Sequence, residues 1–86
     1  MPQDLDPLKN NVFENYLRDL IRLIGENALA AKREEVVAAA EDKLFASGKA
    51  FGYYEVVSLM YLQAIAFGLE PSSIGLPDTD PDRSLS

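Results

Sequence analysis

The segment Phe51–Leu69 constrains the fold more than any other, because the helix it predicts is apolar around nearly its whole circumference. One broad arc of that helix holds mostly large side chains: Tyr53, Tyr54, Val56, Val57, Met60, Tyr61, Ala64, Ile65 and Phe67. The opposite arc mixes polar and apolar residues: Glu55, Ser58, Leu59, Leu62, Gln63 and Ala66. The most apolar stretch of this segment, Val56 to Leu69, is shorter than the ~20 residues that a membrane span needs. We therefore expect a helix packed by protein on both sides, and no membrane partner.

An amphipathic helix is predicted upstream, from Pro7 to about Ile24. Asp6 is a suitable N-cap, and Pro7 at the first helical position loses no hydrogen bond. At 100° per residue, the apolar residues share one arc: Val12, Phe13, Tyr16, Leu17, Leu20, Ile21, Leu23 and Ile24. We expect this arc to face the core.

A second helical stretch, about 27–46, is rich in Ala, Glu and Lys, which favour helix. If the first helix continued through Gly25, the two apolar stripes would lie about 200° apart. A break at Gly25–Asn27 removes this conflict, because glycine tolerates the left-handed backbone that ends helices. The pattern favours a helical hairpin, with one unbroken helix of ~40 residues as the alternative.

Glycines also mark the expected ends of the second and third helices. Gly48 is placed to close the second, and Gly52 is an acceptable N-cap for the third. Gly68 followed by Leu69 predicts a Schellman motif at the end of the third helix. The sequence thus predicts an all-α, three-helix domain over residues 1–70.

Residues 71–86 are predicted to form an extended acidic tail, because three prolines alternate there with Ser, Asp and Gly. Ile74 and Leu76 are expected to pin the start of this tail against the helices, and the rest to be mobile.

Composition narrows the function. The chain has 14 acidic and 8 basic residues, so its net charge of −6 disfavours direct binding to nucleic acid. It contains neither His nor Cys, which removes the commonest general base, nucleophile and zinc ligands. The first residues lack the positive and apolar regions of a secretory signal. We expect a cytoplasmic, non-catalytic protein without a cofactor.

Two residue groups could suggest chemistry, and neither pattern is complete. The string Asp78–Asp82 begins like a calcium loop, but Arg83 stands where such a loop needs glycine. Adjacent acids such as Glu34 and Glu35 point to different faces of a helix and form no catalytic dyad. We expect no metal site and no catalytic residues.

Interaction with protein is the function that the pattern favours. Three competing covers exist for the strip Leu59, Leu62 and Ala66: a second copy of the chain, another protein, or the tail folding back. Because closed two-fold dimers are the commonest oligomers, we expect a homodimeric adaptor or accessory subunit. Its predicted partner-binding residues are Leu59, Leu62, Ala66, Glu55 and Arg33. The alternative is an acidic inhibitor or immunity-type protein that blocks a basic site through Glu70 and the tail acids.

Overall fold

The computed structural model describes residues 7–76, and the side chains from residue 11 onward. Two long helices dominate: α1, Pro7–Val37, and α2, Lys43–Ala66. A 3-10 turn, Ala40–Asp42, joins them, and a second 3-10 turn, Pro71–Ile74, follows α2. The described part of the chain contains no strand. The expected all-α class is confirmed, with two helices in place of three.

The predicted break at Gly25 is wrong, because α1 runs through it without interruption to Val37. Gly25 is buried. The conflict between the two apolar stripes is resolved differently: most of the first stripe is left exposed, from Val12 to Leu20. The alternative of an unbroken helix is correct across Gly25, but that helix ends before the predicted ~40 residues.

The chain reverses at Ala38–Asp42, which contains neither glycine nor proline. Ala39 adopts an extended backbone with ψ 160°, and the Asp42 amide donates to the Ala39 carbonyl at 2.9 Å. The Lys43 ammonium donates to the Glu35 carbonyl, which lies near the C-terminal end of α1. A cation at that position satisfies a free carbonyl and favours the helix dipole, so this link helps to end α1.

The predicted helix end at Gly48 and helix start at Gly52 are also wrong. Both glycines lie inside α2, and a Cβ added at either would meet no atom within 4 Å beyond the adjoining helix backbone. Helix propensity of the neighbouring residues therefore overrides the cost of glycine, about 1 kcal/mol for each position. The predicted second helix is divided between α1 and α2.

Small residues form the seam between α1 and α2. The buried hydrophobic residues of the described chain are Ala28, Ala31, Ala46, Ala50, Val57, Ala64 and Leu76. Val57 is the largest side chain that is fully buried. Alanine lets two helix backbones approach closely, but each alanine contributes little hydrophobic free energy. The seam positions the helices while most large apolar side chains remain partly or largely exposed.

The predicted Schellman motif at the end of α2 is confirmed. Gly68 has φ +72°, its amide donates to the Ile65 carbonyl at 3.0 Å, and the Leu69 amide donates to the Ala64 carbonyl at 2.8 Å. These two bonds satisfy carbonyls that the helix leaves free. The motif ends α2 and turns the chain back toward α1.

The anchor segment, residues 71–76, then packs on the hairpin. Leu76 is 3% exposed and forms one cluster with Ala28 and Val57, against which Ile74 also packs. Arg18 Nε donates to the Ser73 carbonyl at 3.1 Å. The expected pinning by Ile74 and Leu76 is confirmed, although Pro71–Ile74 is a 3-10 turn where an extended chain was predicted. Residues 77–86, with the predicted acidic tail, lie outside the described residues.

Candidate functional site: two exposed apolar surfaces

The two helices differ in length, and the pairing between them shows where α2 stops. Lys49 bridges Glu34 at 3.2 Å, Val57 clusters with Ala28, and Ala64 lines one shallow recess with Ile21. These pairs run in opposite directions along the two helices, so the last residue of α2 lies near residue ~19 of α1. The N-terminal part of α1 therefore extends beyond the end of α2.

We call residues 11–20 of α1 the arm. Every residue of the arm is exposed. Its large apolar side chains keep more than a third of their surface open to solvent: Val12, Phe13, Tyr16, Leu17 and Leu20. Three of them, Phe13, Leu17 and Leu20, continue at three- and four-residue spacing the stripe of Ile21 and Ile24, which packs against the core cluster. The arm thus presents a helix-packing surface on which no other helix packs within residues 7–76.

The second surface lies on α2. Glu55, Leu59, Leu62 and Ala66 follow each other at spacings of four, three and four residues, which places them on one stripe of the helix. We call these residues the outer stripe. Leu59 and Ala66 each lie two residues, about 200°, from a buried residue of the seam, Val57 and Ala64 respectively. The outer stripe therefore points away from α1.

All four residues of the outer stripe are exposed, with Leu59 at 61% and Leu62 at 64%. Glu55 is the only charged residue between positions 50 and 69, so this part of α2 carries almost no charge to keep it solvated. The anchor segment packs elsewhere, against Ala28 and Val57. Residues 71–76 therefore do not provide the cover that the alternative of a folded-back tail requires.

The fifth predicted residue, Arg33, is not part of this stripe. It lies on α1, two residues from the buried Ala31, and it is exposed on the side of α1 away from α2. The structure brings together four of the five predicted residues.

Charges along α1 are largely paired within the helix. Glu14 accepts from Arg18 at 2.7 Å, and Arg22 donates to both Asp19 and Glu26. The bond to Asp19, followed by that to Glu26, raises the pKa of Arg22 above its ordinary value. Because these pairs neutralise one another, the arm carries little net charge despite the −6 of the whole chain.

A further ion pair lies at the other end of the hairpin. Lys32 donates to Glu35 at 3.0 Å, and both side chains are partly shielded. Hydrogen bonds from Lys32 and then from Ser47 of α2 lower the pKa of Glu35. Glu35 thus links the end of α1 to the beginning of α2.

The described residues contain no group of three or more His, Cys, Asp or Glu arranged to hold a metal ion. The Asp78–Asp82 string lies outside them. Over the same part of the chain, no helix has both the length and the hydropathy to cross a membrane. No family model, curated protein or solved structure matches the chain.

Sequence reasoning missed the arm as a surface because it assumed a neighbouring helix along the whole of the first helix. The apolar arc was identified correctly, but only its C-terminal residues Ile21 and Ile24 pack against the core cluster. The arm is exposed because α1 extends beyond the end of α2. That overhang could not be predicted while the helix boundaries were placed at Gly25, Gly48 and Gly52.

Proposed function

We propose that this chain is a non-catalytic protein–protein interaction module that forms a homodimer and serves as an adaptor or accessory subunit. The observation that carries the proposal is the exposure of Leu59 and Leu62 on a stretch of α2 in which Glu55 is the only charged residue after Lys49. Neighbouring exposed apolar side chains on one face of a helix are a common feature of protein–protein contact sites. A second copy is the favoured partner because two-fold homodimers are the commonest closed assemblies.

The energetics support a role for this surface. Fully burying two leucine side chains contributes about 3–6 kcal/mol of gross hydrophobic free energy per chain. The seam, built mainly from alanine, has less to offer per residue, and domains of this size have a stability of roughly 5 kcal/mol. Self-association would therefore supply a substantial share of the free energy that keeps the hairpin folded.

The alternative of an acidic inhibitor stays a prediction. Among its motivating residues, Asp78, Asp80 and Asp82 lie outside the described residues, and Glu70 is exposed just before the anchor segment. No contact in the described part of the chain favours this function over self-association.

Sedimentation equilibrium tests the proposal directly. We expect the parent chain to sediment at twice its 9.5 kDa mass and Leu62→Asp to sediment as a monomer. Leu44→Asp is the matched control, since Leu44 is an 87% exposed leucine near the opposite end of α2. Its variant should remain a dimer. A monomeric parent at tens of micromolar would overturn the proposal.

A further inference from the structure

We infer that the outer stripe of each copy binds the arm of the other, so that two copies make two identical arm-to-stripe contacts. This inference rests on the proposed homodimer and specifies what each surface meets. Each α2 then lies between its own α1 and the arm of the second copy. Such a position accounts for a helix that is apolar on both sides.

The geometry of the hairpin permits this exchange. The arm continues the stripe by which α1 packs on α2, but the arm lies beyond the end of α2. A two-fold axis perpendicular to the helices, near Ala66, places the α2 of the second copy beside the arm. At 1.5 Å per residue, the arm is about 15 Å long and the outer stripe about 17 Å long. The two surfaces match in length.

The buried area requires both surfaces. With about 110 Å² for a leucine and about 200 Å² for an aromatic side chain, the outer stripe exposes about 200 Å² of apolar surface. On the same basis, Phe13, Tyr16, Leu17 and Leu20 of the arm add about 350 Å². A standard interface buries about 800 Å² per partner, and about 65% of this area is apolar in homodimers. Each partner of a homodimer therefore buries about 520 Å² of apolar surface. The outer stripe alone falls well short, whereas the two surfaces together reach this value.

Charge and chain content also favour a second copy. The ion pairs along α1 leave the arm nearly neutral, and α2 brings only Glu55 to the contact, so two acidic copies meet there without strong repulsion. The anchor segment lies along one side of the arm, where Ser72 and Gly75 line a shallow recess with Val12 and Tyr16, but both of these side chains remain more than 60% exposed. Residues 77–86 contain a single large apolar residue, Leu85, and lack the composition to cover the arm.

Two charge variants of the full chain test the exchange. Leu17→Lys alters the arm and Leu62→Glu alters the outer stripe; both positions are more than half exposed, so the helices should form normally, which circular dichroism checks. Each variant alone should be monomeric in sedimentation velocity. An equimolar mixture should form a heterodimer, because one contact is then unaltered and the other pairs the new lysine with the new glutamate. Leu44→Lys, on α2 but beyond the reach of the arm, should remain dimeric.

Each other result has a defined meaning. If Leu17→Lys dimerises on its own while Leu62→Glu does not, the outer stripes bind each other; the inference is then wrong and the proposed homodimer stands. If Leu62→Glu dimerises in the absence of the other variant, the inferred arm-to-stripe exchange is wrong. It is also wrong if both variants are monomeric and their mixture stays monomeric. A monomeric parent removes the proposed function itself.

Discussion

The two halves of α1 carry the same apolar periodicity and have opposite surroundings. From Ile21 to Glu35 the helix packs against α2, and its most buried positions are Gly25, Ala28 and Ala31. In the arm, aromatic and leucine side chains face solvent. The fully buried positions of residues 21–35 are small and two larger residues there, Ile21 and Ile24, are partly buried, whereas the large residues of the arm are exposed. This contrast supports the proposal that one segment of α1 packs within the chain's own hairpin and a separate segment binds a partner.

The largest loss of stability is expected where α1 and α2 pack together, which we call the covered half of α1 (residues 21–35). Val57→Asp places a carboxylate against Ala28 in the core cluster, where Val57 is 2% exposed, and should cost more than about 4 kcal/mol. Thermal unfolding followed by circular dichroism should show a chain that is unfolded or nearly so at 25 °C. Leu59→Asp, two residues away on the outer stripe, is the matched control and should keep its helices. Equal damage from both substitutions would contradict the separation of the two surfaces.

For substitutions in the arm, we expect the Tm to lose its dependence on protein concentration. If the chain dimerises, dimer formation stabilises the folded state by mass action, with a free energy of about 2.7 kcal/mol at a hundredfold excess over Kd. The Tm of the parent chain should therefore rise by about 3–6 °C for each tenfold increase in protein concentration. Leu17→Lys should make Tm independent of concentration. Differential scanning calorimetry over a hundredfold concentration range measures this. A parent Tm that does not move would count against self-association.

The boundary between the two halves can be tested with a pair of glycines. Gly75 has φ +100°, and a Cβ there would lie 2.7 Å from the Arg18 carbonyl oxygen, so Gly75→Ala should cost about 1–3 kcal/mol. Gly48→Ala, inside α2 with open space around it, should instead stabilise by about 0.5–1 kcal/mol. Urea unfolding compares the two. Opposite signs are expected, and a neutral Gly75→Ala would mean that the anchor segment does not hold closely to α1.

The smallest effect concerns pH at the far end of the covered half. Hydrogen bonds from Lys32 and Ser47 lower the pKa of Glu35 in the folded state, so its ionised form stabilises the fold above the unfolded pKa of about 4.3. That contribution is lost as the pH falls through the lower, folded-state pKa. Glu35→Gln should therefore flatten the dependence of Tm on pH between about 5 and 3, relative to Glu34→Gln. Identical slopes for the two variants would remove the assigned role of Glu35.

The sequence was sufficient for helical content and for features fixed by local chemistry. The Schellman motif at Gly68 and the packing of Ile74 and Leu76 were predicted from neighbouring residues, and both are confirmed. The exposure of Leu59 and Leu62 fits the excess of apolar surface that the pattern indicated.

The helix boundaries could not be predicted in the same way. Gly25, Gly48 and Gly52 suggested breaks, yet all three are helical, while the true reversal uses Ala38–Asp42. Glycine weakens a helix by only about 1 kcal/mol, which packing and neighbouring propensities can offset. Alanines at 28, 31, 46 and 50 favour helix locally, and which of them face another helix depends on tertiary pairing.

A seam made largely of alanine has a consequence for alignment. Successive alanine knobs are interchangeable in size, so sliding one helix past the other by a turn would exchange one methyl contact for an equivalent one. The features that distinguish one alignment from the next are few: the cluster of Val57 with Ala28 and Leu76, the bridge from Lys49 to Glu34, and the links from Lys43 and Ser47 to Glu35. Because Leu76 packs against both Ala28 of α1 and Val57 of α2, the short segment after α2 favours one alignment of the two helices, and that alignment determines the length of the arm.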